Sequence, residues 1–270
     1  MVRLFALLAG VAVVSAECTR EGLLAAANSY VAALTAGKID GLKLSATNFT
    51  YQENNKKADL AKSGPFAQPL KIDLTRSTAD VVACASYTLV ISSGGAKPYI
   101  LATQLRHPGD DTSTISLVDT IAATTGSLFF NAKKTLEHIQ AQNWKPIPEA
   151  ERPSRELLKK YGDAYLDMWT DKDAAGSIQW GADCERVEGS QFTKPCGVSL
   201  PRGGSTKPNG NRRYVIDETV GSVDILCSFD SIGNYPDSHE TRVEGGKVKY
   251  VHTVTGCSPS YPSTKCSFTL

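Results

Sequence analysis

A segment beginning at Thr19 recurs without a gap at Ser154, an offset of 135 residues. Arg20-Glu21 falls on Arg155-Glu156, Leu23 on Leu158, Tyr30 on Tyr165, Thr35 on Thr170, Gly41 on Gly176 and Glu53 on Glu188, seven identities over residues 19–53. Such a repeat restricts the chain to folds built from two copies of one supersecondary unit. Both copies open as amphipathic helices with Thr19 and Ser154 as N-caps, and Pro153 precedes the second. Leu23, Ala27, Tyr30, Val31 and Leu34 share one helical face, matched by Leu158, Tyr161, Tyr165, Met168 and Trp169. Gly37 is a stop signal for the first helix.

Each helix is followed by signals for a short second helix, near Ile39 to Leu44 and Ala174 to Trp180, then by a strand carrying Glu53 or Glu188. Val81 to Ser92 and Val220 to Asp230 read as matching β-rich runs. Beyond them Arg106 corresponds to Arg242, and Asp119 to His252. Gly245-Gly246 marks a tight hairpin in the second copy, where the first uses the longer His107 to Asp111 turn. A helix, a second helix and then successive strands predict an α+β unit with helices on one face of a curved antiparallel sheet. The expected division is a leader over residues 1–16, a first unit over 17–145 and a second over 146–270. The linker, from about Asn131 to Pro153, holds the rigid Trp144-Lys145-Pro146-Ile147-Pro148 stretch, with a short helix expected at Leu136 to Gln142.

The leader has a basic Arg3, an apolar run from Leu4 to Val14 and small residues at Val14-Ser15-Ala16, the pattern of a secretory signal. Seven cysteines follow it, so in an oxidising compartment at least one is free or pairs between chains. Cys196 is expected to staple the long Gly189 to Arg213 loop, with Cys184 as partner. Asn48-Phe49-Thr50 is a glycosylation sequon. The net charge of +1 supplies no general attraction for nucleic acid or anionic membranes. Spacings of metal-binding cysteines or histidines, phosphate loops, dinucleotide fingerprints and the G-x-S-x-G elbow do not occur.

Tyr51-Gln52-Glu53-Asn54-Asn55, Arg186-Val187-Glu188-Gly189, Arg213 to Glu218, Pro236-Asp237-Ser238-His239, Arg242-Val243-Glu244 and Val251-His252-Thr253 carry a family likeness. The chain resembles secreted fungal proteins with a tandem SnoaL-like (nuclear-transport-factor-2-like) arrangement. The resemblance implies two cone-shaped units and cofactor-free acid–base chemistry on a small apolar metabolite: epoxide hydrolysis, cyclisation, isomerisation or dehydration of the kind found in secondary metabolism. A non-catalytic secreted protein that binds a host or cell-wall component is the alternative, since the fold hosts both.

His252, Arg242 and Glu188 are the expected catalytic set of the second copy, with Arg186 beside them and Trp180 as a ligand-lining candidate. A histidine near a carboxylate and an arginine can move a proton while the cation holds an oxyanion. Asp119 and Arg106 are the catalytic equivalents in the first copy, with Tyr51, Glu53 and Asn54 as binding residues. The same residues also suit a purely architectural Arg–Glu pair and hydrogen-bonded histidine. Expected partners are a small molecule, with no cofactor, metal, nucleic acid or membrane after leader cleavage.

Overall fold

The computed structural model describes residues 18–109 and 111–257; the expected leader and Cys266 lie outside them. The described chain is α+β, with two six-stranded sheets and three α-helices. In the first unit α1 (Arg20–Ala36) precedes β1 (Thr50–Glu53), β2 (Lys56–Lys57), β3 (Leu74–Asp80), β4 (Ala85–Ser92), β5 (Tyr99–Arg106) and β6 (Leu117–Thr124). A connecting helix, α2 (Ala132–Ile139), leads to the second unit. There α3 (Arg155–Asp167) precedes β7 (Trp180–Glu188), β8 (Gln191–Thr193), β9 (Gly210–Asp217), β10 (Ser222–Phe229), β11 (Tyr235–Glu244) and β12 (Lys247–Thr255). The strand orders β2-β1-β6-β5-β4-β3 and β8-β7-β12-β11-β10-β9 are one topology used twice.

The local signals act as their chemistry dictates. The Thr19 and Ser154 hydroxyls accept from the N–H groups of Gly22 and Leu157, and Gly37 ends α1 in the left-handed region at φ 62°. Gly245 and Gly246, both at positive φ, close the β11–β12 hairpin. Three expectations are corrected. The sheets are mixed, because β1 runs parallel to β6 and β7 parallel to β12. The short second helices shrink to a 3₁₀ turn at Ala174–Ser177 and to turns ending in a lone bridge from Leu44 to Ile115. The linker helix begins at Ala132 rather than Leu136, since the Asn131 side chain caps it through the Lys134 N–H.

Each sheet is covered on both faces, which is why β4 is buried at every position and β10 at all but one. One face meets its own helix: Tyr30 and Leu34 pack with Val90, Leu101 and Val118, and Leu158 and Tyr165 with Ile225, Val243 and Val251. The other faces meet each other, with Tyr87, Leu89, Ile100 and Ile121 of the first unit against Val187, Val215, Leu226 and Val254 of the second. Disulfides join Cys18 to Cys84 and Cys184 to Cys196, and Cys227 is a buried free thiol.

Candidate functional site

Register locates the residues that face α3. Glu188 pairs with Thr253 across β7–β12, and Thr253 with His239 across β12–β11. The three form one row on one face, so Glu188 and His239 stand two strand spacings apart, about 10 Å. They flank a cavity of about 130 Å³ whose other walls are Trp169, Phe229, Ile232, Thr255, Leu128 and Phe129. The last two come from the loop between β6 and α2, so the first unit supplies one wall of a cavity in the second.

Glu188 accepts a hydrogen bond from the Tyr165 hydroxyl at 2.8 Å and lies 3.3 Å from the Arg186 guanidinium. His239 is buried between the rings of Tyr165 and Phe229, with centroids 5.4 and 5.3 Å away. Burial, reinforced by the cation of Arg212, pulls its pKa down to about 3, so the imidazole is neutral across the physiological range. Behind it, Asp237 places Oδ2 at 3.8 Å from His239 Nδ1 without a hydrogen-bond partner, while Oδ1 accepts from the Ser238 N–H and Thr255 hydroxyl. Burial raises this carboxyl well above the carboxylate range. The Cys227 thiol, 4.0 Å from His239 Nδ1, is likewise pushed up by burial and is a poor nucleophile. The cavity therefore offers a carboxylate acceptor at Glu188 and a neutral imidazole that can accept or donate a hydrogen bond, within aromatic walls.

The first unit builds the same row differently. Glu53 pairs with Thr120, and Thr120 with Thr103, which makes Thr103 the equivalent of His239. The Tyr30 hydroxyl is 2.8 Å from Thr103 Oγ1 rather than on Glu53. Glu53 instead accepts from Tyr51 and Ser63, each at 2.6 Å, and the segment carrying Ser63 buries Phe66 edge-on against Tyr30.

The sequence candidates separate into groups. Glu188 lines the cavity, and Arg186 holds it. Tyr51 and Glu53 occupy the equivalent place in the first unit. Trp180 packs behind this row, its ring 6.3 Å from that of Tyr165 and its Nε1–H on the Ala175 carbonyl. Asn54 is a backbone clamp, with both side-chain amide atoms on the main chain of Ala122. Asn48 is exposed in the turn before β1.

His252, Arg242, Asp119 and Arg106, expected to face a pocket, lie instead on the opposite sheet faces, beneath the other unit or the linker. The reason is parity: the partner of His252 on β7 is Val187, which points into the intersheet core, and not Glu188. His252 Nδ1 lies 3.0 Å from Arg76 of the first unit and Nε2 2.8 Å from Gln142 Oε1. Arg76 also binds Glu240 and stacks over Trp144 at 3.6 Å. Asp119 mirrors this, held by Arg213 of the second unit at 2.7 Å. Arg106 donates to Gln104 and the Tyr214 carbonyl, and Arg242 to Glu244 and the Lys145 carbonyl. His239 was missed by sequence reasoning, because the register that carries Glu188 through Thr253 to His239 is set by two strand pairings.

Among the described residues no group of three or more His, Cys, Asp or Glu side chains is placed to hold a metal ion, and no helix is long and apolar enough to cross a membrane. Residues 151–255 match a family model described as a domain of unknown function (DUF8021). No curated protein matches the chain.

Proposed function

We propose that the chain is a secreted, cofactor-free acid–base catalyst acting on a small apolar molecule in the second unit, with a SnoaL-like arrangement of helix and sheet around the site. The observation that carries this reading is the pairing of Glu188 and His239 in a cavity whose apolar walls are Trp169, Phe229, Phe129, Leu128 and Ile232. A bound apolar molecule displaces water from these walls and so strengthens its own polar contacts. Glu188 takes the proton, fixed in place by Tyr165 and Arg186, while neutral His239 hydrogen-bonds the oxygen on which charge develops. Isomerisation, dehydration and epoxide opening all need this division of labour. The Cys18–Cys84 and Cys184–Cys196 disulfides support an oxidising compartment and hence secretion.

Metabolite profiling of a deletion strain tests the reading. The deletion is expected to accumulate a small apolar precursor, with wild-type protein restoring the profile and Glu188→Gln or His239→Ala failing to do so. A profile unchanged by deletion, or fully restored by both variants, would overturn it.

A further inference from the structure

The first unit carries the same row of residues as the second unit's site, with a hydroxyl and a ring from one neighbouring segment packed beside it. Register equates Glu53 with Glu188, Tyr51 with Arg186, Thr120 with Thr253 and Thr103 with His239, and the helix repeat equates Tyr30 with Tyr165. On the first unit's row a hydroxyl from Ser63 donates to Glu53 Oε2 at 2.6 Å. Three residues on, the Phe66 ring lies 5.9 Å from the Tyr30 ring, inside the apolar core between α1 and its sheet. Both groups come from one segment, Phe66 ending the 3₁₀ turn Gly64–Phe66 and Ser63 joining it to the turn Leu60–Lys62.

The second unit routes the corresponding segment elsewhere. Cys184–Cys196 ties its start to β7, and the N–H groups of Gly203 and Ser205 bind the Met168 and Trp169 carbonyls beyond α3, at 2.8 and 3.0 Å. None of residues 190–209 is among the described walls of the cavity. Glu188 therefore faces the cavity without a hydroxyl of the Ser63 kind, and the cavity of about 130 Å³ lies beside it. An apolar cavity of about 150 Å³ accepts a benzene ring, so the scale is that of one ring.

We infer that the second unit's site binds a small neutral ring carrying a hydroxyl group, the hydroxyl donating to Glu188 and the ring lying among Trp169, Phe229 and Phe129. This deepens the proposed function and rests on its choice of cavity. Carboxylated rings are disfavoured, because a second anion would face Glu188. Phenols and small cyclic alcohols fit both the acceptor and the walls.

Phenol, toluene and benzoate serve as probes, titrated into the full-length protein and followed by ligand-observed NMR. Phenol is expected to bind about tenfold more tightly than toluene, as befits a hydrogen bond to a charged acceptor, and benzoate more weakly than either. Glu188→Leu removes the acceptor and should abolish the phenol preference while toluene still binds, which also reports an intact cavity. Glu188→Gln keeps an acceptor for Tyr165 and should reduce the preference several-fold. Equal binding of phenol and toluene, or a preference that survives in both variants, overturns the hydroxyl assignment and leaves the apolar cavity standing. If no ring binds the wild-type protein, the choice of cavity falls, and this inference with it.

Discussion

Arg155, the first residue of α3, closes both terminal guanidinium nitrogens on the two oxygens of Asp80 in the first unit, at 2.8 Å each. The arrangement is reciprocal, since Arg20 at the start of α1 reaches Asp217 of the second unit at 2.5 Å. Each aspartate also accepts a backbone N–H from across the junction, Asp80 from Ile216 and Asp217 from Ala79, both at 2.9 Å. The identity Arg20/Arg155, visible as a repeat in the sequence, thus marks two crossed clamps that hold the units together.

Asp80 is fully buried, whereas Arg155 keeps about a quarter of its side chain in solvent. Removing the carboxylate strands a cation and the Ile216 N–H, so Asp80→Ala is expected to cost roughly 3–5 kcal/mol. Arg155→Met should cost only about 1–2 kcal/mol, because its partner keeps three backbone donors and solvent screens the pair. Urea unfolding of both variants checks the order. Equal costs would show that the guanidinium, not the carboxylate, organises the junction.

Arg76 and His252 form the second crossed contact, joining the first unit to the second. Burial lowers the His252 pKa, with Arg76 pushing the same way and Glu240 opposing, so the ring is neutral beside the cation. Glu240→Ala leaves Arg76 buried against Trp144 without its carboxylate and is expected to cost about 3–5 kcal/mol. His252→Ala should lower stability by about 1–2 kcal/mol and leave toluene affinity within twofold of wild type. Chemical denaturation and the ring titrations separate the two effects. Loss of ring binding in His252→Ala with stability unchanged would return His252 to the site.

The duplication, both helix starts, the β11–β12 hairpin and the Cys184–Cys196 link are local or pairwise signals, and each is legible in the chain. The face assignment is not local. Val187 and Glu188, or His252 and Thr253, are neighbours of which one points to α3 and the other to the opposing sheet. Both faces are covered by protein, so hydrophobic alternation cannot rank them. Polar side chains add to the ambiguity, because buried Glu240, Asp224 and Asp119 find partners across the junction instead of marking a pocket. Likewise, no periodicity in the second unit shows that Leu128 and Phe129 of the first wall its cavity.

Phe129 sits at φ 48°, a left-handed conformation that costs a bulky L-residue about 1–2 kcal/mol. Phe129→Gly relieves that cost as it removes the wall, whereas Phe129→Ala removes the wall alone. Both variants are expected to admit a two-ring phenol such as 2-naphthol at least fivefold better than wild type, with Phe129→Gly melting no lower than Phe129→Ala. A fragment beginning at residue 146 lacks this wall and exposes Val215, Leu226 and Val254, so it should bind toluene at least tenfold more weakly or aggregate. Ligand-observed NMR and light scattering read these outcomes, and a fragment that binds as well as the full chain would make the first unit dispensable to the site.

His239 gives the cavity a pH signature. Its folded pKa, about 3, lies below the ordinary value of 6.5, so below pH 6.5 the unfolded chain takes up a proton that the folded chain refuses. Stability contributed by the neutral ring is complete above 6.5 and is lost as pH falls toward 3, at about 1.4 kcal/mol per unit. Asp237 and Asp224 act in the opposite direction, since burial raises both carboxyls and acidification relieves the cost of ionising them. The total stability curve therefore mixes two slopes, and the difference between wild type and His239→Asn isolates one. Between pH 6.5 and 4.5 wild type should lose roughly 2–3 kcal/mol relative to the variant, measured by urea unfolding at each pH. The neighbours that set this value differ in origin: Tyr165 comes from α3, Phe229 and Cys227 from β10, and Arg212 from β9. A difference that stays flat across the range would mean that the ring is solvated and protonates freely, and the permanently neutral imidazole on which the proposed site relies would be lost.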